Sequence, residues 1–316
     1  MDKDMERDMR QASDRPSPLL GQAAGGRVND LTLGWHRSAL RLLKRVLATR
    51  LVGAGLVILG LVCVSALLSP LLAPYSPTDQ DYLALTQGPS GAHWLGTDDL
   101  GRDVLSRLIY GSRVSLQVGI IAVGIALTVG VSLGLLAGYA GGFVDTVITR
   151  FTDAVQAFPG LILALAITAA LGPGIGNAMI AIGFVSTPAI ARLTRGQTLS
   201  IREREYVEAA RVLGAPPLRI MARHIWPNVT APIIVQATLL IASAIVTEAS
   251  LSFLGVGVQP PTASWGAMLR TGSQYLEVAP WMAFAPGVAI FLTVLAFNFV
   301  GDGLRQALDP RLGGRR

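Results

Sequence analysis

Residues 205–214 read Glu205-Tyr206-Val207-Glu208-Ala209-Ala210-Arg211-Val212-Leu213-Gly214, and Pro227 follows thirteen residues after the glycine. This is the centre of a polar, arginine-studded segment, 198–228, set between apolar runs at 177–197 and 229–254. If 203–213 is helical, Tyr206, Ala209, Ala210 and Leu213 share one face and Arg204, Glu208 and Arg211 the other. Two alanines on a contact face let a second surface approach to backbone distance, while Glu208 offers a fixed charge to a basic partner. Gly214 suits a left-handed helix end, and Pro216-Pro217 prevents continuation. The alternative is a solvated helix in which Glu208 pairs with Arg204 or Arg211.

The surroundings explain why such a segment stands out. The chain has 316 residues, 51% of them hydrophobic and only 15% charged, with a mean hydropathy of +0.51. That is the composition of an all-α polytopic membrane protein. Six spans, each near the roughly 20 residues that a crossing needs, fall at about 51–73, 114–138, 146–171, 177–197, 229–254 and 284–305. Residues 1–34 read as a disordered cytoplasmic tail and Leu31 to Arg50 as an amphipathic helix at the inner interface. Pro70, Pro74 and Pro77 follow the first span where a cleavable leader has small residues, so the span reads as an uncleaved anchor. A core unit begins at 114 and runs to 312, after a unit at 35–113 that holds the interfacial helix, the first span and an outer segment.

Lys and Arg concentrate before residue 51, at Arg150, at Arg192 to Arg223 and from Arg305 onward, including Arg311, Arg315 and Arg316. By the positive-inside rule these segments and both termini are cytoplasmic. Only Arg102, Arg107, Arg113 and Arg270 fall in the outer segments. The basic residues flank spans instead of forming a patch, which excludes a nucleic-acid partner in favour of a lipid membrane.

Two outer segments are too long for turns. In 74–113, Thr97 or Asp98 is placed to cap a helix with Leu100, Val104, Leu105, Leu108 and Ile109 on its apolar face. In 255–283 a short amphipathic helix is expected from Trp265 to Tyr275, with Trp265 and Trp281 suited to the headgroup zone. Gly130, Gly134 and Gly138 form a smooth groove on the second span. Pro159 should kink or loosen the third.

Two acidic residues fall inside spans, where a carboxylate is costly unless paired or hydrated. Asp153 has Arg150 three residues before it as a local partner. Glu248, six residues before the end of the fifth span, is open to two roles. It faces the translocation path or gate, as Asp153 would if unpaired, or it is structural glue through Thr247, Ser250 or another helix.

Catalytic chemistry is missing. The chain has two lysines, Lys3 and Lys44, neither in a Gly-Lys-Ser/Thr phosphate loop, so an ATPase would be a separate chain. There is no Ser-His-Asp set, no His-Glu-x-x-His, and no metal-ligand spacing among His36, His93, His224 and Cys63.

Four blocks now carry a resemblance: His93-Trp94-Leu95-Gly96-Thr97-Asp98 with Gly101-Arg102-Asp103-Val104; Glu208-Ala209-Ala210 with Gly214; Glu248-Ala249-Ser250-Leu251-Ser252-Phe253-Leu254-Gly255; and Gly301-Asp302-Gly303-Leu304 with Asp309-Pro310-Arg311. In this order, over about Trp35 to Leu312, the chain resembles ABC-importer permeases of the dipeptide/oligopeptide/nickel branch, C-type (second) subunit. Two positions depart from the usual motif. Trp226-Pro227 stands where Leu-Pro is usual, and His224 where the broad motif has Ile.

The resemblance implies a type I ABC importer-like core of five helices with the first span wrapped around it. It implies a related permease as heterodimeric partner, two ATPase subunits carrying ATP and magnesium, and a solute-binding protein at the outer face. No cofactor is implied on this chain. Glu208, Ala209, Ala210 and Gly214, with Tyr206 and Arg211, would be the element that couples to the ATPase. Di- and oligopeptides are the default cargo, with nickel, glutathione or another small solute as alternatives. An ion-driven secondary transporter would instead need inverted repeats with paired broken helices, which the sequence does not show. A membrane scaffold would leave the coupling motif unexplained.

Overall fold

The structure, a computed structural model, describes residues 50–308. Expectations for the N-terminal tail, most of the interfacial helix and the basic C-terminal residues lie outside the described residues.

Helix α1, Arg50–Leu67, is followed by the single turn α2, Ser69–Leu72. Helix α3, Val104–Ala140, is the longest at 37 residues, about 55 Å at 1.5 Å per residue. It begins ten residues earlier than hydropathy alone suggested and ends at Gly141 and Gly142, both with positive φ (+67° and +53°). That reversal starts α4, Gly142–Gln156, and α5, Gly160–Leu171, follows. Helix α6, Ile175–Arg202, then leads into the polar segment.

The expected third span, 146–171, is therefore not one kinked helix. α4 and α5 meet at 91°. Pro159 has no N–H to give, and its ring drives Phe158 away from helical angles, so the chain leaves the helix and restarts. α5 is about 18 Å long, short of a hydrocarbon core of roughly 30 Å. Among the described residues, five helices are long and apolar enough to cross a membrane, and the bent pair makes a sixth span if counted as one.

The polar segment folds as α7, Glu205–Val212, and α8, Pro217–Ile220. A five-residue π-helical turn, Met221–Ile225, then joins α8 to α9, Trp226–Phe253. Beyond α9 a loop leads to α10, Trp265–Gln274, whose N-cap Ser264 accepts from Ala267 N–H at 3.2 Å. The described chain ends with α11, Trp281–Leu308. The expected outer helix from Trp265 is present.

The most extensive helix pairing is α3 with α6. A Cβ on Gly130 would lie 2.8 Å from Thr187 O, on Gly134 2.5 Å from Ala191 O and on Gly138 2.6 Å from Thr198 Cβ. Gly183 of α6 returns the contact, its Cβ position lying 2.9 Å from Ala122 O. The groove expected from glycine spacing is filled by a neighbour's backbone. α1 packs on α11 in the same manner, with Gly55 against Ala296 O and Gly303 against Val52.

Substitution at the groove should show its weight. Gly134→Ala should lower the stability of the detergent-solubilised protein by an overpacking penalty of about 1–3 kcal/mol. Gly124→Ala, in the same helix with nothing within 4 Å, should not. Thermal melting of the two variants side by side decides it, and equal melting would mean the contact does not hold the helices.

Candidate functional site

The exposed α7–α8 segment is closed by its own hydrogen bonds. Ala215 N–H donates to Ala210 O at 3.1 Å and Gly214 N–H to Arg211 O at 3.0 Å, with Gly214 at φ +77°. This is the Schellman pattern, which needs a left-handed residue where Gly214 stands. The segment is seated by Val207, fully buried in a cluster with Ile201, Ile220, Ile225 and Val229, against which Ala210 and Ala215 pack. Arg202 donates to Gly138 O at 2.9 Å and ties the base of the segment to the end of α3.

The faces differ from those expected. Val207 and Ala210 point inward, so Ala210 serves its own fold. Tyr206, Glu208, Ala209 and Arg211 are exposed, as is Leu213. Val212 (82% exposed), Leu213 (86%) and Leu218 (75%) form an apolar crest around Gly214. Val212 and Leu218 were missed from sequence because an eight-residue helix gives periodicity too little length to fix its buried side. Glu208 makes no ion pair with Arg204 or Arg211. Tyr206 and His224 rings lie 6.5 Å apart.

Asp153 does not pair with Arg150. Its carboxylate takes Arg192 of α6 at 2.8 Å, and Asp145 takes Arg195 through two bonds, one of 2.6 Å from Nη2. The 91° bend swings α4 across α6, and that tertiary geometry overrides the nearer sequence neighbour. Asp153 is thus a tether of α4.

Glu248 is fully buried, on the side of α9 that faces α3. Thr247 and Ser250 bond carbonyls of their own helix, Ser243 O and Val246 O, and leave Glu248 alone. Its partner is Ser252, whose hydroxyl donates to Oε1 at 2.8 Å. The i, i+4 spacing was the available signal. The opposite side of α9 is open and carries Gln236, Ser243, Thr247 and Ser250. Near the α7 end it borders a cavity of about 430 Å³ lined by Leu193, Pro232, Gln236, Leu239 and Arg305 among others. Glu248 does not line this face.

The other end of the bundle is an ordered polar cap. The N-cap of α3 is Asp103, not Thr97 or Asp98. It accepts from Ser106 N–H at 2.7 Å and holds His93 Nδ1 at 2.9 Å, so Leu100 lies outside the helix. Asp98 is nearly buried. Its oxygens accept from the N–H groups of Leu100 and Arg102 at 2.9 and 3.0 Å and from Arg102 Nε at 2.7 Å, with Arg107 Nε at 3.4 Å. Trp265 is buried in protein, its indole donating to Leu108 O at 2.9 Å, and Trp281 donates to Thr97 O at 3.2 Å. Both indoles therefore hold the cap to the bundle in place of anchoring in headgroups.

Long apolar helices packed through glycines, a polar helix–turn unit at one end and an ordered cap at the other define a membrane-embedded transport subunit with a type I importer fold. The inward-facing structure titled as the MetNI methionine ABC transporter overlays at TM-score 0.52 and 19% identity, covering 65% of this chain and 98% of that one. Residues 130–314 match the family described as "Binding-protein-dependent transport system inner membrane component", and 35–89 match the "N-terminal TM domain of oligopeptide transport permease C". The chain belongs to this family of binding-protein-dependent permeases. It is 47% identical to the dipeptide transport system permease protein DppC of Alkalihalophilus pseudofirmus, covering 88% of this chain and 90% of that one. It is also 47% identical to the glutathione transport system permease protein GsiD of Pectobacterium atrosepticum (88% and 91%). With the di/tripeptide transport system permease protein DppC of Pseudomonas aeruginosa the identity is 49% (82% and 87%).

Two neighbouring carboxylates of the cap should respond oppositely to removal. Asp98→Ala strands the Arg102 and Arg107 guanidinium groups and should cost about 3–5 kcal/mol, the range for breaking one side of a buried pair. Asp99 is the reverse case. Burial, then the adjacent Asp98, raise its carboxyl above the ordinary 3.8, against the pull of Arg102 and Arg107. A carboxyl with a raised folded pKa binds protons more readily folded than unfolded, so its contribution to stability falls as pH climbs from 3.8 through the raised value. Asp99→Asn should therefore melt at or above the parent at neutral pH, and the advantage should vanish below pH 3.8. An Asp99→Asn penalty at neutral pH would overturn this account.

Proposed function

We propose that this chain is one of two related permease subunits of an ATP-driven importer for di- and oligopeptides. It contributes half of the translocation path and couples it to separate ATPase chains. The observation that carries this reading is the α7–α8 unit. An exposed helix closed by its own hydrogen bonds presents an apolar crest of Val212, Leu213 and Leu218 beside an exposed Glu208. Inside a soluble domain such a crest would be buried; at the rim of a membrane bundle it suits a groove on another protein.

ATP and magnesium belong on the two ATPase partners, because this chain has no Gly-Lys-Ser/Thr. ATP would act by stabilising one arrangement of the two permeases over the other, which brings their α7 units together. The open face of α9, with its hydroxyls and Gln236, lines the path, and the partner permease closes it. The cap receives the solute-binding protein.

The charge distribution supports a bacterial inner membrane location with both termini in the cytoplasm. Arg192, Arg195, Arg202, Arg204, Arg211, Arg219, Arg223 and Arg305 all sit at the α7 end. Of the four arginines at the cap end, Arg102 and Arg107 are engaged by Asp98. Peptide cargo is supported by what the relatives are named for: dipeptides, di- and tripeptides, and glutathione, itself a tripeptide.

The test is uptake of labelled dipeptides and oligopeptides into proteoliposomes holding this chain, its partner permease, their ATPases and the binding protein. Glu208→Ala should insert normally, bind the ATPases at least tenfold more weakly, about 1.4 kcal/mol, and abolish ATP-dependent accumulation. Normal uptake by that variant would sink the coupling assignment. Binding-protein-stimulated ATP hydrolysis without peptide uptake would move the cargo to nickel or another small solute.

A further inference from the structure

The block Glu248 to Gly255 has no part in the coupling unit and gives only Ser250 to the polar open face of α9, yet it contains the one fully buried carboxyl among the spanning helices described. No lysine, arginine or histidine among the described residues lies within ion-pair distance of it. Its neighbours are hydroxyls. Ser252 Oγ donates to Oε1 and in turn accepts from Val258 N–H at 3.0 Å. Oε2 has no hydrogen-bond partner among the described residues, and the hydroxyl of Ser115 on α3, beside the carboxyl, is also buried and unpartnered. A buried group left this way is costly, so the arrangement calls for a use.

The surroundings suggest the use. The loop after α9 folds back on it, with the N–H groups of Val256 and Gly257 both donating to Leu251 O at 3.1 Å. Three glycines or glycine contacts leave no clearance between cap and bundle. A Cβ on Gly257 would lie 2.7 Å from Ser252 N, one on Gly266 2.7 Å from Ala249 Cα, and one on Gly111 2.7 Å from Trp265 Cδ1. The cap helix α10 is thereby seated directly on the ends of α3 and α9, and the Glu248–Ser252–Val258 chain runs through the middle of that seat.

We propose that Glu248 is a positioning residue that pins the cap segment 254–275 to α9 and α3, so that docking of the solute-binding protein on the cap moves the path-lining helix as one body. This rests on the permease reading above and adds to it the route by which the outer face addresses the path. The pin works by hydrogen bonding, since it faces hydroxyls and no cation; an amide of the same shape retains the Ser252 contact through its carbonyl and offers its N–H toward the Ser115 hydroxyl.

The experiment uses the full complex in nanodiscs and measures ATP hydrolysis with and without liganded binding protein, together with thermal melting. Glu248→Ala and Ser252→Ala should keep basal hydrolysis but lose stimulation by at least about fivefold, the low end of coupling between sites. Glu248→Gln should keep stimulation within about twofold, well under that coupling energy. If Glu248→Ala does not assemble, Ser252→Ala and Ser115→Ala carry the test. Hydrogen exchange at 254–262 should rise in both alanine variants that break the Ser252 link, a readout independent of transport.

Unchanged stimulation in the alanine variants would overturn the pin while leaving the permease reading intact. Parallel loss of basal and stimulated activity with a lower melting temperature would reduce Glu248 to a structural residue. Loss in Glu248→Gln equal to that in Glu248→Ala would show that charge is what matters, against the proposal. A wild-type complex whose hydrolysis ignores the binding protein would overturn the permease reading of the cap and the pin with it.

Discussion

Everything in this bundle depends on how closely α3 and α6 can approach. Lipid offers apolar side chains no reason to leave it, so helices in a membrane are held by close packing and by the few polar contacts between them. The glycines at 130, 134 and 138 place the backbone of α3 against that of α6, and Gly183 answers from the other side. The Arg202 bond to Gly138 O lies at the end of the same seam, so the α7–α8 unit inherits its position from the most extensive helix pairing among the described residues. A looser seam would leave that unit with no fixed place relative to the bundle.

Polar groups are distributed to reinforce this arrangement from both ends. At the α7 end, Arg192 and Arg195 fasten α4 to α6 through Asp153 and Asp145. At the cap end, Asp98 collects two backbone N–H groups and two guanidinium groups, and two indoles stitch separate segments together. The middle of the bundle holds a cluster of small and aliphatic side chains such as Val118, Ala122, Ala181 and Ile182, with buried hydroxyls at Thr168 and Thr187 that bond carbonyls of their own helices. A carboxyl placed near one end, as Glu248 is, therefore meets an environment built for rigidity and not for solvation.

Much of this was legible in the sequence wherever a single helix carries its own signal. Apolar length marked the spans, the four-residue glycine repeat marked the groove, and Gly214 with Pro216-Pro217 marked the end of α7. Signals that depend on two elements were not legible. Nothing local states that α4 crosses α6, so the partner of Asp153 could not be read as Arg192. The same holds for Trp265, an amphipathic ring suited to headgroups by type but buried because Gly111 leaves a space for it. The start of α3 was misplaced for a subtler reason: Thr97, Asp98 and Asp103 all have capping chemistry, and only the fold decides which of them is free to cap. In α7 spacing put Tyr206, Ala209, Ala210 and Leu213 on one contact face, whereas the buried face turned out to be Val207 and Ala210.

The π-helical turn at Met221–Ile225 has a consequence for phase. In a regular α-helix two residues five apart point about 140° away from each other. Ile220 and Ile225 are five apart, yet both are fully buried in one cluster. The wider turn takes up one extra residue and brings them to the same side. Val229 and Ile233 then continue at intervals of four on the bundle side, while Ile220 belongs to the loop side. The two halves of what looks like one continuous apolar helix, 217–253, are thus out of step by a residue, and each keeps its own wheel. The α7–α8 unit can present its crest at an azimuth that α9's own repeat would not permit, because the stagger is absorbed in a single turn between them.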